Sequence, residues 1–120
     1  MSGAEERVPK ATLALYDRLV ATIPGVERKG ATLPYTSVNG NMFSFLTNTG
    51  KLALRLPPAE RGAFLERFGT RLVEQHGAVM KEYVQVPDSL LRNTQRLRKY
   101  FDLSYAYVGS LKQKPTKRKK

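Results

Sequence analysis

The chain of 120 residues has no cysteine and a single histidine. Without thiols there can be no disulfide, no thiolate metal site and no cysteine nucleophile, and a reducing compartment is compatible. The one histidine, His76, stands beside Gly77 and reads as part of a turn rather than as a catalytic base. A metal centre needs several His, Cys or carboxylate ligands brought together. Here Asp17, Asp88 and Asp102 are scattered over helix faces and ends, where they read as surface charges or caps. Long apolar runs are also missing. None approaches the roughly 20 residues a membrane span requires, and the polar start M-S-G-A-E-E-R has no signal-peptide character. The expectation is a cytoplasmic protein with no membrane association, no cofactor, no bound metal and no enzymatic activity.

Acid is absent from the end of the chain. Lys112, Lys114, Lys117, Arg118, Lys119 and Lys120 follow the last acid, Asp102, and hold six of the 21 basic residues behind the formal charge of +11. The body through Leu111 has fifteen cations against ten acids, a net +5, which is ordinary for a small soluble domain. Residues 1–111 are therefore expected to form one domain and residues 112–120 a disordered basic tail, since like charges repel and little apolar surface is available there. At 41% hydrophobic residues the body can bury one core.

What is present is a clear order of elements. Leu13, Tyr16, Leu19, Val20 and Ile23 recur at helical spacing, and Pro24-Gly25 ends that helix. Three short β-rich segments follow, punctuated by Asn39-Gly40 and Thr49-Gly50, which are turn signals. The first strand is predicted within Glu27 to Val38, an edge or bulged strand because Pro34 cannot donate to a ladder. In Met42 to Thr47, strict alternation puts Phe43 and Phe45 on one face and Met42, Ser44 and Leu46 on the other. In Lys51 to Leu56, the leucines face in and Lys51, Ala53 and Arg55 face out. A helix is predicted from Pro58 to Phe68, with proline at its start, Glu60 in its first turn, Arg67 in its last and Gly69 just past its end. A short strand near Arg71 to Glu74, a strand from Met80 to Val86 and a turn at Asp88 to Leu91 come next. Asn93 then caps a long helix with a core stripe of Leu97, Phe101, Ser104, Val108 and Leu111. The fold class is α+β: an antiparallel sheet of a three-strand meander plus two strands, with helices packed on one face.

Several strings in this order carry a resemblance: L-Y-D-R-L-V-A-T-I-P-G-V from Leu15, N-G-N-M-F-S-F from Asn39, K-L-A-L-R-L-P from Lys51, M-K-E-Y-V-Q-V-P from Met80 and S-Y-A-Y-V-G-S-L-K-Q-K-P from Ser104. Together they resemble the TfoX/Sxy N-terminal-domain family, and in particular its short single-domain members. The resemblance implies a secretion-chaperone-like α+β fold and a non-enzymatic protein. It also implies a regulatory role, since the named members regulate competence for DNA uptake together with transcription machinery. Where members usually carry Met-Phe-Gly-Gly in the first strand, this chain reads K-G-A-T-L-P-Y-T-S-V.

Three features are weighed for function. Gly50-Lys51 resembles the end of a phosphate loop, but Phe45 stands where the first glycine of G-x-x-x-x-G-K belongs and Leu52 where Ser or Thr belongs, so a turn entering a strand is the better reading. Met42, Leu46, Ala53 and Tyr83 fall on the sheet face opposite the helices. They form a candidate surface for a partner protein or for self-association as a homodimer. The other reading is that the strand phase is off by one residue, which would turn them over. Arg92, Arg96 and Lys99 recur at i, i+4 and i+7 on the last helix near Tyr100, Tyr105 and Tyr107. With the six tail cations they are candidate contacts for sequence-independent nucleic-acid binding, or else a solvated helix face. The first reading of function is a non-catalytic, protein-interaction module linked to transcription regulation; the alternative is a nucleic-acid-binding accessory protein that uses its tail.

Overall fold

A computed structural model describes residues 9–30, 33–47, 49–75 and 77–111. The elements are α1 (Lys10–Val20), β1 (Tyr35–Val38), β2 (Asn41–Leu46), β3 (Leu52–Arg55), α2 (Pro58–Phe68), β4 (Leu72–Gln75), β5 (Ala78–Val86), α3 (Asp88–Leu91) and α4 (Thr94–Gly109). The five strands form one sheet in the order β1-β2-β3-β5-β4, every neighbouring pair antiparallel. This is the α+β architecture expected, with the segment at Asp88 closing into a short helix instead of a turn.

Local signals explain most of the boundaries. The β1–β2 hairpin turns at Asn39 (φ 55°) and Gly40 (φ 77°), both in the left-handed region that a two-residue hairpin loop requires. Pro58 opens α2, and Gly69 closes it at φ 58° with its N–H on the Leu65 carbonyl. The Asn93 side chain accepts from the Arg96 N–H at 3.1 Å and starts α4. The first strand is shorter than expected. Only Tyr35–Val38 forms a ladder, and the earlier segment contributes an isolated bridge between Lys29 and Tyr35.

One face of the sheet holds the main core. Phe43, Leu46, Leu52, Leu54, Leu56, Val84 and Val86 pack beneath Tyr16, Leu19, Val20, Phe64, Leu97, Phe101 and Val108 of the helices. α4 crosses β1, β2 and β3 and lies against α1, while α2 covers β5. Phe43 meets the Phe101 and Tyr105 rings at 5.3 and 5.6 Å between centroids. Four hydroxyls are buried in this layer without loss of partners. Tyr16 and Ser44 hydroxyls lie 2.7 Å apart, Thr36 shares the same Ser44 hydroxyl, and Ser104 donates to the Phe43 carbonyl at 3.2 Å.

The strict alternation expected in β2 is broken. Thr36 pairs with Ser44, but Ser37 pairs with Met42, so Phe43 is an extra residue in a bulge. The bulge places Phe43 and Ser44 on the same, helix-covered side, and every later residue of the strand shifts phase. Phe45 therefore faces away from Phe43, and Leu46 faces the helices with no exposed surface. Leu46 is a core residue and not part of the outward face.

Candidate functional site

The face of the sheet away from the helices is a second, smaller layer. Phe45, Ala53 and Val73 are buried at its centre, and Tyr35, Met42, Met80 and Tyr83 close over them, each partly exposed. Phe45 lies opposite both Tyr35 and Ala53 in the ladders, and Arg55 lies opposite Tyr83, so these side chains share one face. The Tyr83 ring stands edge-on to Phe45 with centroids 5.4 Å apart, and its hydroxyl donates to the Met42 carbonyl at 2.7 Å. Burial pushes the Tyr83 phenol above its ordinary pKa, and the nearby Arg55 guanidinium partly opposes that shift. Arg55 in turn pairs with Glu82 at 2.7 Å.

The pairing of β4 with β5 gives this face its relief. Leu72 pairs with Val84, but the next residue, Val73, pairs with Met80. Lys81, Glu82 and Tyr83 are thus inserted into β5 between two successive residues of β4. An insertion of this kind bends the bulged strand and increases its twist. Met80 to Tyr83, with Arg55, line an open concavity of about 420 Å³.

Of the four residues expected to form a partner surface, Met42, Ala53 and Tyr83 lie together on this face. Ala53 has no exposed surface, so it is the floor of the layer and cannot itself touch a partner. Leu46 belongs to the opposite side. Phe45, Tyr35, Val73 and Met80 were not anticipated. Phe45 was hidden by the β2 bulge. Val73 and Met80 depend on the β4–β5 register; the His76-Gly77 turn signal bears on it, since Gln75 pairs with Ala78 and Val73 with Met80, but strand limits of 71–74 and 80–86 did not bring the pair into view.

A second cluster sits where the end of α2 meets the start of α4. Phe68 packs against Phe64 and Tyr100 with centroids 4.7 and 5.6 Å away. Two guanidiniums lie over the Phe68 ring, that of Arg67 at 5.5 Å and that of Arg96 at 5.2 Å, and the Lys99 ammonium lies 5.4 Å from the centre of the Tyr100 ring. Arg96 and Lys99 are exposed on α4; Arg92 is exposed too, but it ends α3 and lies before the Asn93 cap, off the helix on which the spacing placed it. Arg67 joins them from α2, a neighbour that only the tertiary fold supplies. Tyr105 does not join this corner: it packs on Phe43. The tail cations Lys112, Lys114, Lys117, Arg118, Lys119 and Lys120 lie outside the described residues, as does His76.

The three aspartates weighed earlier are surface charges: Asp17 with Arg28, Asp88 with Lys51 and Asp102 with Arg98. Among the described residues no three His, Cys, Asp or Glu side chains are grouped as metal ligands, and no helix is long and apolar enough to cross a membrane.

The order of elements, the single antiparallel sheet and the helices confined to one face fit the resemblance carried by the sequence strings. The family model of the TfoX N-terminal domain matches residues 21–108. The chain belongs to the TfoX N-terminal domain family. The match runs from the end of α1 to the last turn of α4, and so includes the whole sheet, the Phe45 layer and the Phe68 corner. Curated proteins give no match to the chain. The family is not a known enzyme family.

Proposed function

We propose that this TfoX N-terminal domain is a non-catalytic protein-binding module, and that its contact surface is the helix-free face of the sheet, used first of all by a second copy of the chain. The observation that carries this reading is the apolar layer of Phe45, Ala53 and Val73, roofed among the described residues by Tyr35, Met42, Met80 and Tyr83. Such a layer is what a partner's side chains can finish covering. A second copy fits because the face carries both signs of charge. Arg55 and Glu82 pair at its edge, and a two-fold axis passing between them would also bring each beside its opposite in the other chain. A regulatory role, as the resemblance implies, suits a domain that acts by contact.

The size of the face sets the expected strength. Five strands spaced about 4.8 Å apart and about five residues long present roughly 400 Å² in plan. A standard interface uses roughly 800 Å² per partner, so association in the range of tens to hundreds of micromolar is expected. Sedimentation of the intact chain up to several hundred micromolar tests this. The wild type should show a monomer–dimer equilibrium and Met42→Glu a monomer with unchanged circular dichroism. A wild type that stays monomeric throughout, or a Met42→Glu variant that associates equally well, overturns the reading.

A further inference from the structure

We propose that the corner built on Phe68, between the end of α2 and the start of α4, is a contact site for the phosphate backbone of nucleic acid. The proposal is independent of the sheet face and does not rest on it.

The decisive feature is two like charges held at one ring with no ion-pair partner among the described residues. Arg67 and Arg96 both sit over Phe68, so their guanidinium carbons can be no more than about 11 Å apart. The ion pairs among the described residues use Arg28, Lys51, Arg55 and Arg98, and none involves Arg67, Arg92, Arg96 or Lys99. The acids on the surrounding elements are placed elsewhere. Asp88 is held by Lys51 and Asp102 by Arg98. Glu66 precedes Phe68 by two residues, which puts it on the far side of α2, and Glu60 is two turns away along the helix.

Two exposed cations this close repel one another weakly, and an anion bound between them turns that repulsion into attraction. The ring offsets part of the repulsion and does something more. An arginine free in solvent loses much rotamer freedom when it binds, whereas a guanidinium already resting on an aromatic face keeps its fork of N–H donors in place. Arg67 and Arg96 are exposed, so those forks remain open to solvent. A planar fork matches the two oxygens of a phosphate with parallel hydrogen bonds. Beside Arg96 lies a small hollow of about 130 Å³, lined by Phe68, Ser89, Leu90, Asn93 and Arg96, which adds polar side chains within the same corner.

A ligand with repeating charge fits better than a single anion. Lys99 follows Arg96 by three residues, about 4.5 Å along α4, Arg92 stands just before the Asn93 cap, and Arg67 of α2 flanks them. The chain carries +11 in total, which steers polyanions toward it. Charged groups that pair with phosphates position a protein on nucleic acid without reading its bases, so the proposed contact is one of backbone and is independent of sequence.

Fluorescence anisotropy of a labelled 20-base-pair duplex, titrated with the intact chain at several salt concentrations, tests the site. Arg67→Gln with Arg96→Gln is the test variant, and Arg18→Gln with Arg71→Gln removes equal charge elsewhere. The test pair should lower affinity at least fivefold at low salt and reduce the slope of log affinity against log salt by about 1.8, the value for two lost phosphate contacts. The control pair should change neither by more than a third as much. Both variants should melt within a few degrees of the wild type, because the aromatic cluster is intact. Three results overturn the proposal: no duplex binding by the wild type at low salt, equal losses in test and control pairs, or binding of a polyglutamate peptide in preference to the duplex.

Discussion

The two faces of the sheet are built from the same strands and reach burial by different means. On one face, helices α1, α2 and α4 cover Phe43, Leu46, Leu54 and Val84 completely. On the other, Ala53 and Val73 are just as inaccessible, yet what covers them is the sheet's own longer side chains, Tyr35, Met42, Met80 and Tyr83. Accessible surface alone does not tell these situations apart. They differ in what lies beyond the first layer: packed helix on one side, and on the other groups that still touch water. A cavity opened beneath a helix stays empty, whereas one opened beneath a partly exposed roof can be filled by water or by the roof's own side chains.

Truncating one phenylalanine on each face should expose that difference most strongly. Phe43 and Phe45 are two residues apart in one strand, and both are almost fully buried, at 0% and 3%. Phe43→Ala should cost about 3–5 kcal/mol, as for large-to-small changes in sealed cores. Phe45→Ala should cost roughly half as much, because Tyr83 and Met42 can settle into the space. Chemical denaturation at neutral pH measures both. Equal losses would mean that the open face is packed as tightly as the core.

The same pair marks where the sequence could be read and where it could not. Elements ended by local chemistry were legible. Pro58 and Gly69 bound α2, Asn93 caps α4, and the alternation of Leu52, Leu54 and Leu56 puts all three in the core. The bulge at Phe43 was not legible, because no glycine or proline marks it. It exists because Phe43 fits against Phe101 and Tyr105 while the Ser44 hydroxyl reaches Tyr16 as well as its neighbour Thr36, and Phe101, Tyr105 and Tyr16 lie far away in the chain. The consequence was local: one phase shift moved Leu46 into the core and Phe45 out of it. Met42, Ala53 and Tyr83 kept their predicted face because their phases do not pass through the bulge. Arg67 was missed as a neighbour of Arg96 for the same kind of reason, since only the packing of α2 on α4 brings both to Phe68.

A second way to sharpen the contrast uses the two tyrosines that hydrogen-bond across the structure. Tyr16, sealed under the helices, has its phenol pushed up to about 12 by burial, which outweighs the hydrogen bonds from Ser44 and Thr36 that favour ionisation. The unfolded chain gives up this proton near pH 10 and the folded chain resists until about 12. The stabilising effect is therefore complete below pH 10 and is lost as pH rises between those values. The loss attributable to this group should be about 2–3 kcal/mol. Denaturation series at pH 9 and pH 11.5 should show a steeper decline for the wild type than for Tyr16→Phe, which has no proton to release. Parallel declines would mean that water reaches Tyr16 and that the helix face is less sealed than its geometry indicates.

The smallest expected effect is at Tyr83, and it bears most directly on whether the open face is open. Tyr83→Phe removes the hydroxyl that donates to the Met42 carbonyl at 2.7 Å and leaves the ring against Phe45. Removing a hydrogen bond costs about 1 kcal/mol when the abandoned partner can find water, and up to roughly 3 kcal/mol when it is left buried and unpaired. Met42 is partly exposed and lies at the edge of the layer, so water can take the place of the hydroxyl. A loss of about 1 kcal/mol or less is expected by denaturation of the dilute monomer. Raising the protein concentration then separates the alternatives. If a second copy covers this face, the cost of Tyr83→Phe should grow with concentration, because the carbonyl is sealed from water only in the dimer. A cost of 2 kcal/mol or more that is already present at the lowest concentration would show instead that the monomer's own roof excludes water, and the distinction between the faces would fail at the point where a partner is expected to bind.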